Sequence, residues 1–288
     1  MSITNTKKML AKAYENNYAI LHINVINYDM ARVSMLAAQE KNSPIIIAVS
    51  EKALKNFAGP KDFVEMVTNI DDHFKIKVPV AIHLDHGAYE TAIECINAGF
   101  TSVMFDGSKS PLDQNIKHTK EIIRLAKLHS VTVEAEVGAV TGKIEDKGEK
   151  GELASVEECK KMADLGIDCL AAGIGNIHGE YPAGWPGLNF ERLNEIDLAV
   201  GKPLALHGGS GIPEKQVKHA ISLGIAKFNV GTELLTAFTS ELAKHFISGD
   251  YKKARGYDPR DYFQHAFDAV KNVVVKKLQL VGSIGKAD

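Results

Sequence analysis

The stretch VPVAIHLDHGAYETAIECINAGFTSVMF, residues 78–105, decides the fold. Its start, 78–84, is an apolar, β-branched run of strand type. Residues 88–97 follow with a helix-like pattern. Ala98-Gly99-Phe100 reads as a helix end with glycine past the last turn. A second short apolar run, 102–105, closes the unit. Strand, helix, strand in that order implies two parallel strands joined by a helical crossover.

The same unit recurs in both directions along the chain. Strand-like runs fall at 19–25, 44–49, 78–84, 102–105, 131–137, 169–173, 203–207 and 227–230. Helical patterns lie between and after them at 30–41, 61–71, 88–97, 114–129, 156–165, 190–200, 213–223 and 233–246. The phrases Leu165-Gly-Ile and Leu223-Gly-Ile repeat the helix-end signal. Eight such units in under 300 residues predict a single α/β domain over residues 1–288, a (β/α)8 TIM barrel. A doubly wound sheet is the rival arrangement of the same pattern. Residues 261–277 predict additional C-terminal helices outside the repeat.

Composition narrows the function classes. The 288 residues carry a formal net charge of -2 and 45% hydrophobic side chains, as a globular enzyme does. Near-neutral charge argues against nucleic acid as a partner. No apolar run reaches the roughly 18–20 residues that span a bilayer, and the N-terminus lacks the apolar core of a signal peptide. Three cysteines, Cys95, Cys159 and Cys169, form no Cys-x-x-Cys pair and no even set. They point to a reducing, cytoplasmic compartment and away from a disulfide framework. The expected partners are small molecules or further copies of the chain.

In a barrel of this type the chemistry sits at the C-terminal ends of the strands. Those ends carry Asn24, Ser50, Asp85 with His86, Asp106, Glu136, His178, His207 and Asn229. Any one of them could be an ordinary strand cap. A near-complete ring reads as one site, because buried carboxylates and imidazoles are costly unless paired or metal-bound. His86, His178 and His207, from the third, sixth and seventh strands, are the candidate metal ligands. Three protein ligands with one open position is the usual plan of a catalytic zinc site. The remaining histidines, among them His22, His83, His118 and His129, read as structural, with His83 the closest to the site. Two glycine-bearing loops, His207-Gly-Gly-Ser-Gly211 and Asn229-Val-Gly-Thr232, follow the last two strands, where barrels often bind phosphate. The charged loop 138–152 could close over a substrate as a lid.

At these residues the chain resembles the class II fructose- and tagatose-bisphosphate aldolases, and the fructose enzymes more closely. Val78-Pro-Val-Ala-Ile-His-Leu-Asp-His-Gly87 resembles their first signature and Val133-Glu-Ala-Glu-Val-Gly138 their second. Val49-Ser-Glu51, Phe105-Asp-Gly-Ser108, Gly175-Asn-Ile-His-Gly179, Leu206-His-Gly-Gly-Ser210, Asn229-Val-Gly-Thr232 and Asp258-Pro-Arg260 match later motifs. The resemblance implies that His86, His178 and His207 hold a catalytic Zn2+, and that Asp106 and Glu136 serve a second or displaced zinc position. It implies Asp85 as acid/base at the substrate's C4 hydroxyl and a glutamate on the 138–152 loop as the second proton carrier. The family's Gly-Gly-x-Glu-Asp loop is here Thr141-Gly-Lys-Ile-Glu-Asp146, which places that role on Glu145. Ser50, Gly179, Gly208, Gly209, Ser210, Asn229, Val230, Gly231 and Thr232 would bind the dihydroxyacetone phosphate half, with Asn24 beside them.

The resemblance further implies that Arg260 reaches the far phosphate from a neighbouring subunit, which requires a homodimer or homotetramer. It allows a monovalent cation as well. The implied reaction is reversible cleavage of fructose 1,6-bisphosphate into dihydroxyacetone phosphate and glyceraldehyde 3-phosphate, in glycolysis and gluconeogenesis. Tagatose 1,6-bisphosphate, or a related phosphorylated substrate, is the alternative. A catalytically silent metal-binding subunit is a reading of another class. A lysine Schiff-base mechanism finds no lysine at the end of the sixth strand, with only Lys109 and Lys143 as outside candidates.

Overall fold

The computed structural model describes residues 2–55, 57, 59–138 and 153–287. Eight parallel strands close into a barrel in sequence order: β1 (Ile20–Asn24), β2 (Ile45–Ser50), β3 (Val80–Gly87), β4 (Ser102–Phe105), β5 (Thr132–Val137), β6 (Cys169–Ala172), β7 (Leu204–Leu206) and β8 (Ile225–Val230). β8 returns to pair with β1, His22 opposite Asn229. Closure in sequence order is the predicted barrel and excludes the doubly wound sheet, whose edges stay open.

Helices surround the barrel: α2 (Tyr28–Glu40), α4 (Pro60–Phe74), α5 (Tyr89–Ala98), α6 (Leu112–Leu128), α7 (Val156–Ala163), α8 (Phe190–Val200), α9 (Glu214–Ile221) and α10 (Thr232–Ile247). Their starts follow local chemistry. Asn27 accepts from the Met30 N–H at 2.9 Å and Asn189 from the Arg192 N–H at 2.9 Å, each filling an orphan donor of the first turn. Two helices escape the sequence pattern. The short α3 (Glu51–Leu54) follows β2, and α1 (Lys7–Glu15) precedes the barrel. Met9, Leu10 and Ala13 of α1 pack with Ile20, Ile46 and Ala81, residues of the barrel interior, and so plug its lower end. The expected C-terminal additions are one long helix, α11 (Pro259–Leu280), preceded by a single 3-10 turn.

Alternation along the strands sorts the side chains into two layers. Leu21, Ile23, Ile45, Ile47, Ile82, Leu84, Val103 and Phe228 face outward and join the helices in the main core. The inward layer is mixed: Ile20, Ile46 and Met104 with Ala48, Ala81, Ala171 and Ala205, and beside them the polar His22, His83, Glu134 and Lys227. Among the described residues no helix is long and apolar enough to cross a membrane.

Candidate active site

The site begins with an irregularity in β3. Asp85 and His86 are consecutive, so regular pleating would send them to opposite faces of the sheet. Between Leu84 and Gly87 the register against β4 slips by one residue, and His86 adopts φ +49°. This bulge lets both side chains serve the mouth of the barrel, a re-aiming that bulges commonly perform beside active sites. Positive φ in a non-glycine residue stores strain, and it sits on a proposed ligand.

His86, His178 and His207 converge. Each offers a ring nitrogen within 4.8 Å of the others. His86 Nε2 and His178 Nε2 are 3.2 Å apart, and the rings of His86 and His207 have centroids 4.6 Å apart. Three imidazole nitrogens around one point, open to a cavity on one side, fit a zinc-type divalent ion once they are deprotonated. On the other side of its ring, His86 Nδ1 meets Asp106 Oδ2 at 2.9 Å and Glu136 Oε2 at 3.5 Å. Asp106 is itself held by the Ser108 N–H and hydroxyl, at 3.1 and 2.6 Å. His86, Asp106 and Glu136 also form a group with metal-ligand spacing.

Asp85 lies beside this cluster and is almost wholly buried. Asn24 Nδ2 donates to its Oδ2 at 2.7 Å, and Asn229 Nδ2 lies 3.4 Å from its Oδ1. Two amide donors thus fix the carboxylate plane. Burial opposes charge on Asp85, but His86, His22, His207 and Lys227 outweigh it and hold the carboxyl well below its usual range. Burial likewise works to lower the pKa of His86, yet Asp85, the hydrogen bond to Asp106 and Glu136 raise it to about 9. For His207 burial prevails and the pKa falls.

The expected substrate positions Asn24, Ser50, Gly179, Gly208, Gly209, Ser210, Asn229, Val230, Gly231 and Thr232 all line one cavity of about 240 Å³, with Asp85, His178 and His207 at its inner wall. The loop after β7 needs its glycines. Gly208 has φ +66°, and a Cβ there would stand 1.9 Å from the Ile177 carbonyl oxygen. A Cβ on Gly209 would meet the Phe228 ring at 2.5 Å. The N-terminus of α10 opens on the same cavity, and Ser210 Oγ accepts from the Glu233 N–H at 3.2 Å. Helix N-termini beside glycine turns attract phosphate. Arg260 stands apart, exposed on the first turn of α11 and paired to Asp258 at 2.7 Å. Glu145 lies outside the described residues, as do Thr141 to Asp146 as a whole.

Sequence reading missed two participants. Glu134 and Lys227 are fully buried inside the barrel, 2.6 Å apart, and Glu134 also reaches His207 Nε2 at 2.9 Å. The signal was present. Glu134 shares a strand face with Glu136, and Lys227 shares one with Asn229 on β8. Lys227 is also the buried lysine that a Schiff-base reading would want. It does not line the cavity, and Glu134 and His83 occupy its ammonium.

The comparisons with known proteins agree with this geometry. The family described as fructose-bisphosphate aldolase class-II matches residues 4–286. A fructose-bisphosphate aldolase of Mycoplasma pneumoniae is 47% identical over 290 residues, covering 99% of this chain and 100% of the relative. One from Ureaplasma parvum is 46% identical over 285 residues, covering 99% and 98%. Among solved structures, the YdjI aldolase of Escherichia coli K12 superimposes with a TM-score of 0.85 at 32% identity, covering 99% of this chain and 100% of that one. The chain is an aldolase, a carbon–carbon lyase, built on a TIM barrel. It belongs to the class II fructose-bisphosphate aldolase family, whose class implies a divalent metal.

Proposed function

We propose that the protein is a zinc-dependent aldolase that reversibly cleaves fructose 1,6-bisphosphate into dihydroxyacetone phosphate and glyceraldehyde 3-phosphate. The observation that carries this reading is the meeting of three histidines and an oriented carboxylate at the inner wall of a glycine-lined cavity. His86, His178 and His207 would hold the zinc. When bound, the ion supplies a Lewis acid that polarises the C2 carbonyl and offsets the charge left by bond cleavage.

The protein's own groups do the rest. Backbone N–H groups of the loops at 208–210 and 230–232 would seat the phosphate of the dihydroxyacetone half, with Ser50 and Gly179 beside them. Asp85, held by Asn24 and Asn229, takes the proton from the C4 hydroxyl as the C3–C4 bond breaks. Such proton transfers contribute about 10²- to 10⁴-fold each. The proton returned to C3 is assigned to Glu145 on the resemblance alone. Asp106 and Glu136 orient His86, and with His86 they offer a second position for the ion.

The working unit is a homodimer or a homotetramer. Supporting this, α10 and α11 expose the apolar side chains Leu235, Phe246, Ile247 and Phe263, and Arg260 lies in the first turn of α11. A second copy covering these side chains would bring Arg260 toward a partner's cavity, where it would meet the far phosphate. The buried, free cysteines suit a reducing cytoplasm, and cleavage of fructose 1,6-bisphosphate would place the enzyme in glycolysis and gluconeogenesis.

The test is turnover of fructose 1,6-bisphosphate and tagatose 1,6-bisphosphate with and without EDTA, with borohydride added in parallel. Fructose cleavage abolished by chelator, restored by zinc and indifferent to borohydride is expected. Faster tagatose cleavage would replace the substrate. Activity that survives full metal removal would overturn the mechanism.

A further inference from the structure

The interior of the barrel contains a chain of buried contacts that the bond cleavage does not use. Glu134 Oε1 lies 2.9 Å from His207 Nε2, and Glu134 Oε2 lies 2.6 Å from Lys227 Nζ. Lys227 Nζ is also 3.1 Å from His83 Nε2, and His83 Nδ1 is 2.8 Å from Ser102 Oγ. Every residue in this chain is at most 2% exposed.

Elementary donor and acceptor rules place the protons. An ammonium only donates, so Lys227 gives hydrogens to Glu134 and to His83 Nε2, and His83 keeps its own hydrogen on Nδ1, toward Ser102. An ionised carboxylate only accepts, so the hydrogen of His207 must sit on Nε2. The lone pair of a neutral His207 is then confined to Nδ1. That atom faces the cavity wall, 3.2 Å from Asn229 Nδ2 and 3.8 Å from Asp85 Oδ1. His86 and His178 approach one another through Nε2. The three rings therefore do not present equivalent atoms.

We propose that Glu134, anchored by Lys227, is a positioning residue that locks His207 in the tautomer whose Nδ1 ligates the metal. The inference rests on the reading that the three histidines hold a divalent ion. Metal-ligating histidines generally donate their second N–H to such a partner, and losing that partner typically costs about 10- to 100-fold in metal affinity. Lys227 has a separate part. It keeps Glu134 ionised and fixed where no water reaches, which a neutral side chain of the same length could not do. His83, read from the sequence as a structural residue close to the site, serves here as the far support of Lys227.

The experiment compares wild type with Glu134→Gln, Glu134→Asp and the double variant Glu134→Gln/Lys227→Met. The single Gln variant leaves Lys227 buried without a counter-charge and can lose its fold for that reason. The double variant removes both charges, and Asp retains the charge while drawing back from His207. Zinc affinity is read by competition with a chromophoric chelator, the cobalt-substituted protein by its visible spectrum, and folding by thermal denaturation. The expected result is a zinc Kd about 10- to 100-fold weaker in the folded Gln variants. Glu134→Asp should fall between them and wild type. The cobalt spectrum should change, and KM at saturating metal should hold. Folded variants with wild-type zinc affinity and cobalt spectrum would overturn the inference while leaving the three-histidine site intact. A wild-type protein that takes up no zinc would overturn both.

Discussion

Ile82 and His83 are adjacent in β3 and equally buried, yet they belong to different regions of the molecule. Ile82 faces outward into the layer between strands and helices, among Leu84, Val103 and Ile47. His83 faces inward, to Lys227 and Ser102. The outer layer is bound by non-directional apolar burial, which tolerates any well-packed shape of the right volume. The inner layer is bound by directional contacts between ionised and neutral polar groups, which tolerate almost no change in chemistry. The outer layer gives the barrel its stability. The inner one is apolar at its lower end, around Ile20, Ile46 and Met104, and polar above it, where it aims side chains at the mouth. Burial alone does not separate the two, whereas the direction of the Cβ does.

The largest effect should come from the inner layer at its upper end. Asp85→Asn keeps shape but cannot accept the proton, so kcat should fall by about 10²- to 10⁴-fold. Zinc content and thermal stability should stay near wild type. Near-normal kcat would remove Asp85 from its role. Next is the outer layer. Ile82→Ala should destabilise the fold by about 2–5 kcal/mol, measured by urea denaturation, while the folded fraction keeps its kcat. A loss of kcat in folded protein would show that the two layers are less independent than their chemistry suggests.

A smaller effect is expected at the phosphate loop. Gly208→Ala puts a side chain at φ +66°, a backbone strain on the order of 1–3 kcal/mol, and its Cβ also forces the Ile177 carbonyl to move. It should raise KM more than it lowers kcat, and an unchanged KM would detach this loop from the substrate.

The smallest effect concerns pH. In metal-free protein the pKa of His86 is raised to about 9, chiefly by Asp85 and Asp106 against the opposing pull of burial. Its charge therefore adds stability that is full below the ordinary histidine pKa, near 6.5, and is lost as pH rises through 9. Zinc must displace that proton, so its affinity rises over the same window. Melting with EDTA should fall from pH 6.5 to 9 while the increment from zinc grows. A zinc increment independent of pH would contradict the His86 assignment.

The fold was legible to a large degree. Eight apolar runs alternating with eight helical patterns predicted the strands within a few residues, because period and glycine punctuation are local properties of the chain. The α1 helix was not read. Its role as a plug depends on Met9 and Leu10 finding the open end of the barrel, which no local pattern announces. At the site, the strand-end positions of Asn24, Asp85, Glu136, His207 and Asn229 followed from counting along each strand. The redirection of His86 did not, since a bulge arises from how β3 meets β4 rather than from β3 alone.

By itself the sequence determined that eight strands alternate with helices and that polar residues fall at the strand ends, since both follow from residue order and alternation. The resemblance of its motifs then named the reaction class. Only the tertiary structure decided which polar groups meet. It closed the eight strands into a barrel, placed Glu134 between His207 and Lys227, set Lys227 against His83, and left Arg260 outside the cavity lined by Asp85 and His207. The reason is geometric: contacts across a barrel depend on the stagger and closure of all eight strands, and no single segment of the chain encodes those distances.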